Sequence, residues 1–146
     1  MATVVFSTQI ARTPADVFAV LTDVSKNAAW SKTSVSGRLT SPPPVGLGST
    51  AHEVSRFLGK TIEVDSTIVA FVPDQTFSFV TRTGPFPFRG SFTTASVAPG
   101  TLLTSEFVAE PTGPLRFADR LLGSLIRRRF ETDLANLKRL MEANEL

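Results

Sequence analysis

The stretch that decides the fold is FADRLLGSLIRRRFETDLANLKRLMEANE, which runs from Phe117 to Glu145 near the C-terminus. It contains no proline and only one glycine, so nothing in it forces the chain out of a helix. At the helical repeat of 3.6 residues per turn, five apolar side chains fall in one band about 80° wide. They are Ile126, Phe130, Leu134, Leu137 and Met141. The pattern predicts a long amphipathic helix that covers an apolar surface formed by the rest of the chain.

The N-terminal end of this helix has a different apolar direction. Ala118, Leu122 and Leu125 centre on a line rotated by about 100° from the main band. Gly123 and Ser124 lie where the direction changes. Because glycine and serine are common where helices deviate, we expect a bend or a break at this point.

The middle of the chain, from about Ser34 to Pro111, consists of strands and turns. Proline and glycine mark the turns, and short connections between successive strands indicate antiparallel neighbours. In one strand, Thr61–Val72, apolar and polar residues occupy opposite faces, which is typical of a sheet covered on one side. Besides a strand from about Ser34, the segments are Ser49–Phe57, Thr61–Val72, Thr76–Arg82, Phe86–Val97 and Thr101–Glu110.

The N-terminal part of the chain adds a first strand and two short helices. Residues Thr3–Ala11 alternate in the period of two that indicates a half-buried strand. Thr13 is suited to cap a helix and Pro14 to begin it, and a second helical segment spans about Val24–Trp30. We therefore predict an α+β fold in a single domain over residues 1–146. A seven-stranded antiparallel sheet wraps around the long C-terminal helix, with two short helices between strands one and two.

The composition excludes several classes of protein. The chain has 146 residues, of which 42% are hydrophobic, with twelve phenylalanines, no cysteine and one histidine. Such a chain is not a disordered tail, and it has no thiols for disulfides, thiolate catalysis or cysteine-bound metals. A single histidine excludes a multi-histidine metal site and disfavours a Ser-His-Asp triad. A net charge of +2 gives little basis for nucleic-acid binding. With no signal-peptide pattern and no long apolar run, we expect a soluble cytoplasmic protein.

A sheet that curls around one helix can leave a space between the two. The alternating phenylalanines of the two strands around Gly84 would line such a space on their inner faces. The residues concerned are Phe77, Phe79, Phe88 and Phe92. Ordinary packing in a filled core is the other interpretation of the same pattern.

Four local patterns, in this order and at this spacing, resemble the START-like superfamily, also called helix-grip or birch-pollen-allergen-like. Within it, the chain is similar to the small bacterial polyketide cyclase/dehydrase and lipid-transport proteins, and the similarity covers essentially the whole chain. The patterns are TPADVFAVLTD at Thr13–Asp23 followed by Trp30, GLGS at Gly46–Ser49, PGTLLT at Pro99–Thr104, and LANLKRLME at Leu134–Glu142.

The resemblance implies a hydrophobic ligand cavity between the sheet and the C-terminal helix, with no metal or cofactor. We expect binding of a lipid, a polyketide or an aromatic metabolite. The alternatives are a cyclase, aromatase or dehydratase that uses the same cavity, and a regulatory or toxin-like protein acting through its basic helix face. We expect His52 and Arg129 to contact the polar part of the ligand. The expected wall residues are Trp30, Phe79, Phe92, Phe107, Phe130 and Leu134. Trp30 also has a purely structural interpretation, as an anchor of its helix.

Three side chains are candidates for acid–base chemistry, each with an alternative structural role. His52 titrates near neutral pH, but it can equally be a rim or solvent-facing residue of its strand. Glu106 would be a buried acid in one register of the last strand, whereas the more apolar face, with Leu103 and Phe107, places it outside. Asp133 falls inside the apolar band, four residues from Arg129, and can pair with it across one helical turn.

The C-terminal helix is also basic. Arg127, Arg128 and Arg139 lie outside its apolar band or beside it. A solvated helix face is one interpretation, and peripheral contact with anionic lipid or an acidic protein is the other. The regulatory hypothesis predicts that these three arginines matter more than any cavity residue, so charge reversal on the outer helix face would separate it from the two cavity hypotheses.

Overall fold

The structure is a computed structural model that describes residues 2–113 and 117–146, without the side chain of residue 119. Seven strands, two short helices and one long helix follow one another in the predicted order. They are β1 (Ala2–Ile10), α1 (Pro14–Thr22), α2 (Asn27–Trp30), β2 (Ser34–Leu39), β3 (Thr50–Phe57), β4 (Lys60–Val72), β5 (Thr76–Thr81), β6 (Phe88–Val97), β7 (Gly100–Ala109) and α3 (Asp119–Glu142). A single 3₁₀ turn, Val24–Lys26, precedes α2.

All seven strands form one antiparallel sheet in the order β1-β7-β6-β5-β4-β3-β2. The hairpins between β2 and β7 place sequential strands side by side, and β7 then pairs with β1, with Val4 opposite Phe107. The short helices therefore connect the two outermost strands, β1 and β2, across one face of the sheet. The predicted α+β architecture is confirmed.

The first helix begins where its capping residues predict. The Thr13 hydroxyl accepts a hydrogen bond from the Asp16 backbone N–H at 3.2 Å, and Pro14 occupies the first turn. Val17 and Phe18 are buried against the sheet. The segment predicted as one second helix is the 3₁₀ turn followed by the single turn of α2, which buries Trp30.

The long helix α3 runs through Gly123 and Ser124 without interruption, so a break at this point was the wrong expectation. Gly123 faces β1, where an added Cβ would lie 3.7 Å from that of Ala2. This is an ordinary van der Waals distance, so Gly123 packs beside β1 without being required there by crowding. Leu122 is 4% exposed, whereas Leu125 is 37% exposed. Of the residues in the second apolar direction, Leu122 therefore packs in the core, whereas Leu125 lies near the surface of the same continuous helix.

The two ends of α3 pack differently on the sheet. Towards its C-terminus, Leu134, Leu137 and Met141 are buried in the main core. At its middle, the ring of Phe130 stacks on Phe107 of β7 with 3.8 Å between centroids. Around this stack, residues of α3 between Leu125 and Asp133 border an open space on the side of strands β3 to β6. The site lies in this space.

Candidate functional site

A cavity of about 580 Å³ lies between the middle of α3, the helix α2 and the inner face of the sheet. Its volume is within the range of about 300–1,000 Å³ that accommodates small organic ligands. Most of the surface is apolar, and strands β3 to β6 contribute many of the residues that line it. Representative wall residues are Phe57, Ile62, Val64, Ile68, Phe79 and Phe86. Such walls favour an apolar molecule because burial removes its surface from water.

Five of the six expected wall residues line this cavity. They are Trp30, Phe79, Phe92, Phe107 and Phe130. Leu134 does not line the cavity, and that part of the expectation was wrong. It follows Phe130 by one helical turn and lies in the packed part of the core, where its side chain is 1% exposed. The sequence left open whether the phenylalanines line a cavity or fill a core, and in the structure the same rings do both.

His52 points away from the cavity, on the outer face of the sheet, so its expected role as a ligand contact was wrong. Strand alternation places its neighbours Ala51 and Glu53 on the cavity side instead. The His52 Nδ1 lies 2.7 Å from an Asp65 carboxylate oxygen, and its Nε2 lies 3.2 Å from one of Glu63. These two hydrogen bonds raise the pKa of His52 above its ordinary value.

The His52 contacts predict a pH dependence of stability. Because the folded-state pKa of His52 is raised, its contribution is complete below the unfolded pKa of about 6.5 and is lost as the pH rises through the folded value. We expect the melting temperature to fall across this window in the native protein. His52→Gln should flatten the curve, because no other histidine is present. Thermal melts in a series of buffers would measure this, and an unchanged curve in the variant would contradict the assignment.

The two carboxylate candidates occupy opposite environments. Glu106 is exposed on the outer face of β7, as the more apolar register predicted, so it is not a buried acid. Asp133 is 1% exposed and borders the cavity. It accepts hydrogen bonds from the Ser31 hydroxyl at 2.8 Å and from the Lys32 backbone N–H at 3.2 Å. Asp133 thus fastens α3 to the segment that follows α2.

One wall of the cavity carries a group of polar side chains, which we call the polar cluster: Arg129, Asp133, Glu53, Asn27 and Ser55. Glu53 accepts hydrogen bonds from the Asn27 amide at 2.9 Å and from the Ser55 hydroxyl at 3.1 Å. Arg129 Nε lies 4.0 Å from an Asp133 oxygen, which is an ion pair too long for a hydrogen bond. Three elements, β3, α2 and α3, therefore bring their polar groups to the same wall.

Arg129 is the charged member of the polar cluster with an unused hydrogen-bond donor, and the Asn27 Oδ1 acceptor is likewise buried without a partner. Its guanidinium donates no hydrogen bond to any residue that the structure describes, and its Nε is buried without a partner. Burial lowers its pKa, while the charges of Asp133 and Glu53 act in the opposite direction. The group nevertheless stays charged, because arginine titrates far above neutral pH. A half-buried cation whose Nε has no acceptor in the protein can receive one from a ligand.

Sequence reasoning missed Glu53, Asn27 and Ser55 as members of the site. The alternation of β3 held a signal for two of them, because placing His52 outside places Glu53 and Ser55 inside. No local pattern marks Asn27, whose position depends on how α2 packs against β3. Arg129 was expected at the cavity wall, and the structure places it there.

An antiparallel sheet gripping a long C-terminal helix, with an apolar cavity between them, defines the helix-grip fold. The family described as polyketide cyclase / dehydrase and lipid transport matches residues 1–142, and the chain belongs to this family. No curated protein sequence matches the chain. Among the residues that the structure describes, no helix is long and apolar enough to cross a membrane.

Solved structures with the same fold confirm the architecture at low sequence identity. A protein from Thermus thermophilus has a TM-score of 0.83 and 18% identity over 99% of both chains. A START superfamily protein from Mycobacterium smegmatis has a TM-score of 0.76 and 13% identity over 99% of this chain and 97% of its own. The Zhui aromatase/cyclase from a Streptomyces species has a TM-score of 0.77 and 17% identity, covering 99% and 95%. At these identities the likeness establishes the fold alone.

Proposed function

We propose that the protein binds one small, largely apolar molecule in the cavity and carries or sequesters it. The observation that supports this most strongly is the cavity itself, about 580 Å³ of space bordered by aromatic and aliphatic side chains. Close packing leaves few voids larger than a water molecule in an ordinary protein interior. A space of this size in a domain of this length is therefore a binding site rather than a packing defect.

The polar cluster defines the chemistry of one end of this ligand. Arg129 supplies unused donors, whereas both Glu53 and Asp133 already accept hydrogen bonds from the protein. The ligand group complementary to Arg129 is an oxygen acceptor, either a carbonyl or a carboxylate, whereas the unpartnered Asn27 Oδ1 can accept from a ligand hydroxyl. A lipid, a polyketide or an aromatic acid would present such a group while its remaining surface contacts the apolar walls.

Cyclisation or dehydration of a bound polyketone is the second candidate function. The specific observation in its favour is a carboxylate, Glu53, held on the same wall as the Arg129 cation. Arginine can polarise a ketone, and a neighbouring carboxylate can remove a proton from the adjacent carbon. The family description and the Streptomyces aromatase/cyclase are consistent with such chemistry. Conversion of a polyketone by the protein, lost in Glu53→Gln with ligand binding retained, would establish the enzyme.

Arg129→Met tests the assigned polar contact. We expect it to weaken binding of a carbonyl or carboxylate ligand about 10- to 100-fold, because a charge-assisted hydrogen bond contributes about 1.5–3 kcal/mol. Binding of a hydrocarbon of the same length should change little. Titration calorimetry with a fatty acid, its methyl ester and the matching alkane would measure both effects.

Arg127→Met is the matched control for this experiment. Arg127 lies on α3 beside the site, but it pairs with Glu131 at 3.6 Å on the surface and does not line the cavity. Its removal should leave all three affinities unchanged. Equal losses for the two variants, or an alkane affected as strongly as the acid, would contradict the role assigned to Arg129.

A further inference from the structure

Large apolar side chains are exposed around the mouth of the cavity. Leu58, at the turn between β3 and β4, is 63% exposed, and Leu125 of α3 is 37% exposed. Both border the cavity. Leu121, one helical turn before Leu125, is 64% exposed on the same side of the helix. These three residues, the mouth leucines, come from two separate elements that both contribute exposed residues to the border of the cavity.

The charged residues that border the cavity differ in exposure according to the sign of their charge. The described charged residues that border the cavity comprise four cations and two carboxylates. The carboxylates, Glu53 and Asp133, are half-buried and buried, respectively. The exposed members are all cations, namely Lys32, Arg56 and Arg128, which we call the mouth cations. The opening therefore combines exposed leucines with positive charge that no exposed carboxylate of the cavity border neutralises.

We propose that this mouth docks onto the surface of an anionic lipid bilayer. The mouth leucines would enter the boundary between headgroups and acyl chains, while the mouth cations would contact the negative headgroups. The charge complementarity and the arrangement around an opening favour a bilayer over a protein partner. A bilayer can receive apolar side chains on both sides of the mouth at once, and it leaves the apolar cavity open towards the acyl chains.

The docking surface differs from the arginine face expected from the sequence. Of the three arginines considered there, Arg128 lies at the mouth. Arg127 is paired with Glu131, and Arg139 donates a hydrogen bond to Asn136 at 2.7 Å near the C-terminal end of α3. Docking at the mouth goes beyond ligand binding. Since the protein needs no ligand to bind a vesicle, the two proposals can fail independently.

Vesicle co-sedimentation of the full chain tests the docking surface directly. The vesicles contain phosphatidylcholine alone or phosphatidylcholine mixed with phosphatidylglycerol. Arg56→Gln/Arg128→Gln removes two mouth cations, and Leu58→Asn/Leu121→Gln removes two mouth leucines. Asparagine suits position 58 because its φ is 50°. Val5→Gln and Arg89→Gln are matched controls at exposed positions on the outer face of the sheet. Thermal melts confirm that each variant is folded.

We expect binding to the anionic vesicles that weakens with added salt. Each cation near the surface accounts for about a fivefold change, so the double arginine variant should bind about 25-fold more weakly. The double leucine variant should lose at least about tenfold, and the controls should bind like the native protein. Equal affinity for neutral vesicles, no binding to anionic ones, or losses in the controls that match those of the mouth variants would overturn the proposal.

Discussion

Phe107→Ala is expected to reduce the free energy of unfolding by about 3–5 kcal/mol, the range for truncating a buried phenylalanine. Phe107 is 1% exposed on the inner face of β7, the strand next to the edge strand β1. Its ring stacks on Phe130 of α3 and lies 5.5 Å from that of Phe92 and 5.9 Å from that of Phe88. Removing it takes away the contact that holds the helix against β7, and it enlarges the cavity.

Urea denaturation followed by fluorescence or circular dichroism would measure this loss. Leu102→Ala is the matched control, because Leu102 is on the same strand but 36% exposed on its outer face. We expect the control to lose about 1 kcal/mol or less, since little area is removed from contact. A similar small loss in Phe107→Ala would show that α3 is not held by this aromatic stack.

Filling the cavity is expected to remove ligand binding while leaving the fold intact. Ala51 of β3 and Ser66 of β4 are direct cross-strand partners, and both border the cavity. In Ala51→Phe/Ser66→Phe, two rings would occupy space that the ligand needs, so affinity should fall about 100-fold or more. The melting temperature should stay the same or rise, because the new rings bury apolar surface in an existing void. Calorimetric titration and thermal melts would measure the two effects.

Ala70→Phe controls for the added aromatic group itself. Ala70 is exposed and does not border the cavity, so this variant should bind ligand as the native protein does. If the filled variant retained full affinity while folded, the ligand would have to bind elsewhere. A filled variant that unfolded would indicate that the space is too small to accommodate two rings.

The fold could be predicted because its signals are local. The period of two in β4, the helical period of α3 and the capping residues of α1 each depend on neighbours within a few residues. The inward and outward faces of a strand were also predictable where its apolar residues all lie on one face. Glu106 lies outside because Leu103 and Phe107 occupy the inner face of β7.

The site was less predictable because its geometry depends on contacts between distant elements. Strand β3 has no strongly apolar face, so its local pattern did not decide whether His52 or Glu53 points inward. The interruption expected at Gly123 did not occur, because that glycine packs against β1, a contact that no local pattern records. Leu134 and Phe130 share one helical band, yet only Phe130 borders the cavity, whereas Leu134 is packed in the core.

The polar cluster was also beyond local sequence patterns, because its members come from distant parts of the chain. Asn27 and Glu53 are separated by 26 residues along the chain, and Ser31 and Asp133 by 102, before the fold joins them by hydrogen bonds. Sequence reasoning placed Arg129 at the cavity wall from its helical angle alone. It could not show that Asp133 would be engaged by Ser31 and the Lys32 backbone, leaving the Arg129 guanidinium with donors to spare.

Native mass spectrometry of the purified protein is the most direct test of the central claim that the cavity binds a small apolar molecule. The spectrum is recorded for the protein as isolated and after incubation with a panel of lipids, polyketides and aromatic acids. We predict an additional mass corresponding to one bound molecule per chain, absent from Ala51→Phe/Ser66→Phe and present in Ala70→Phe. A protein that carries nothing, and that gains no mass and no thermal stability from any member of the panel, would contradict the claim.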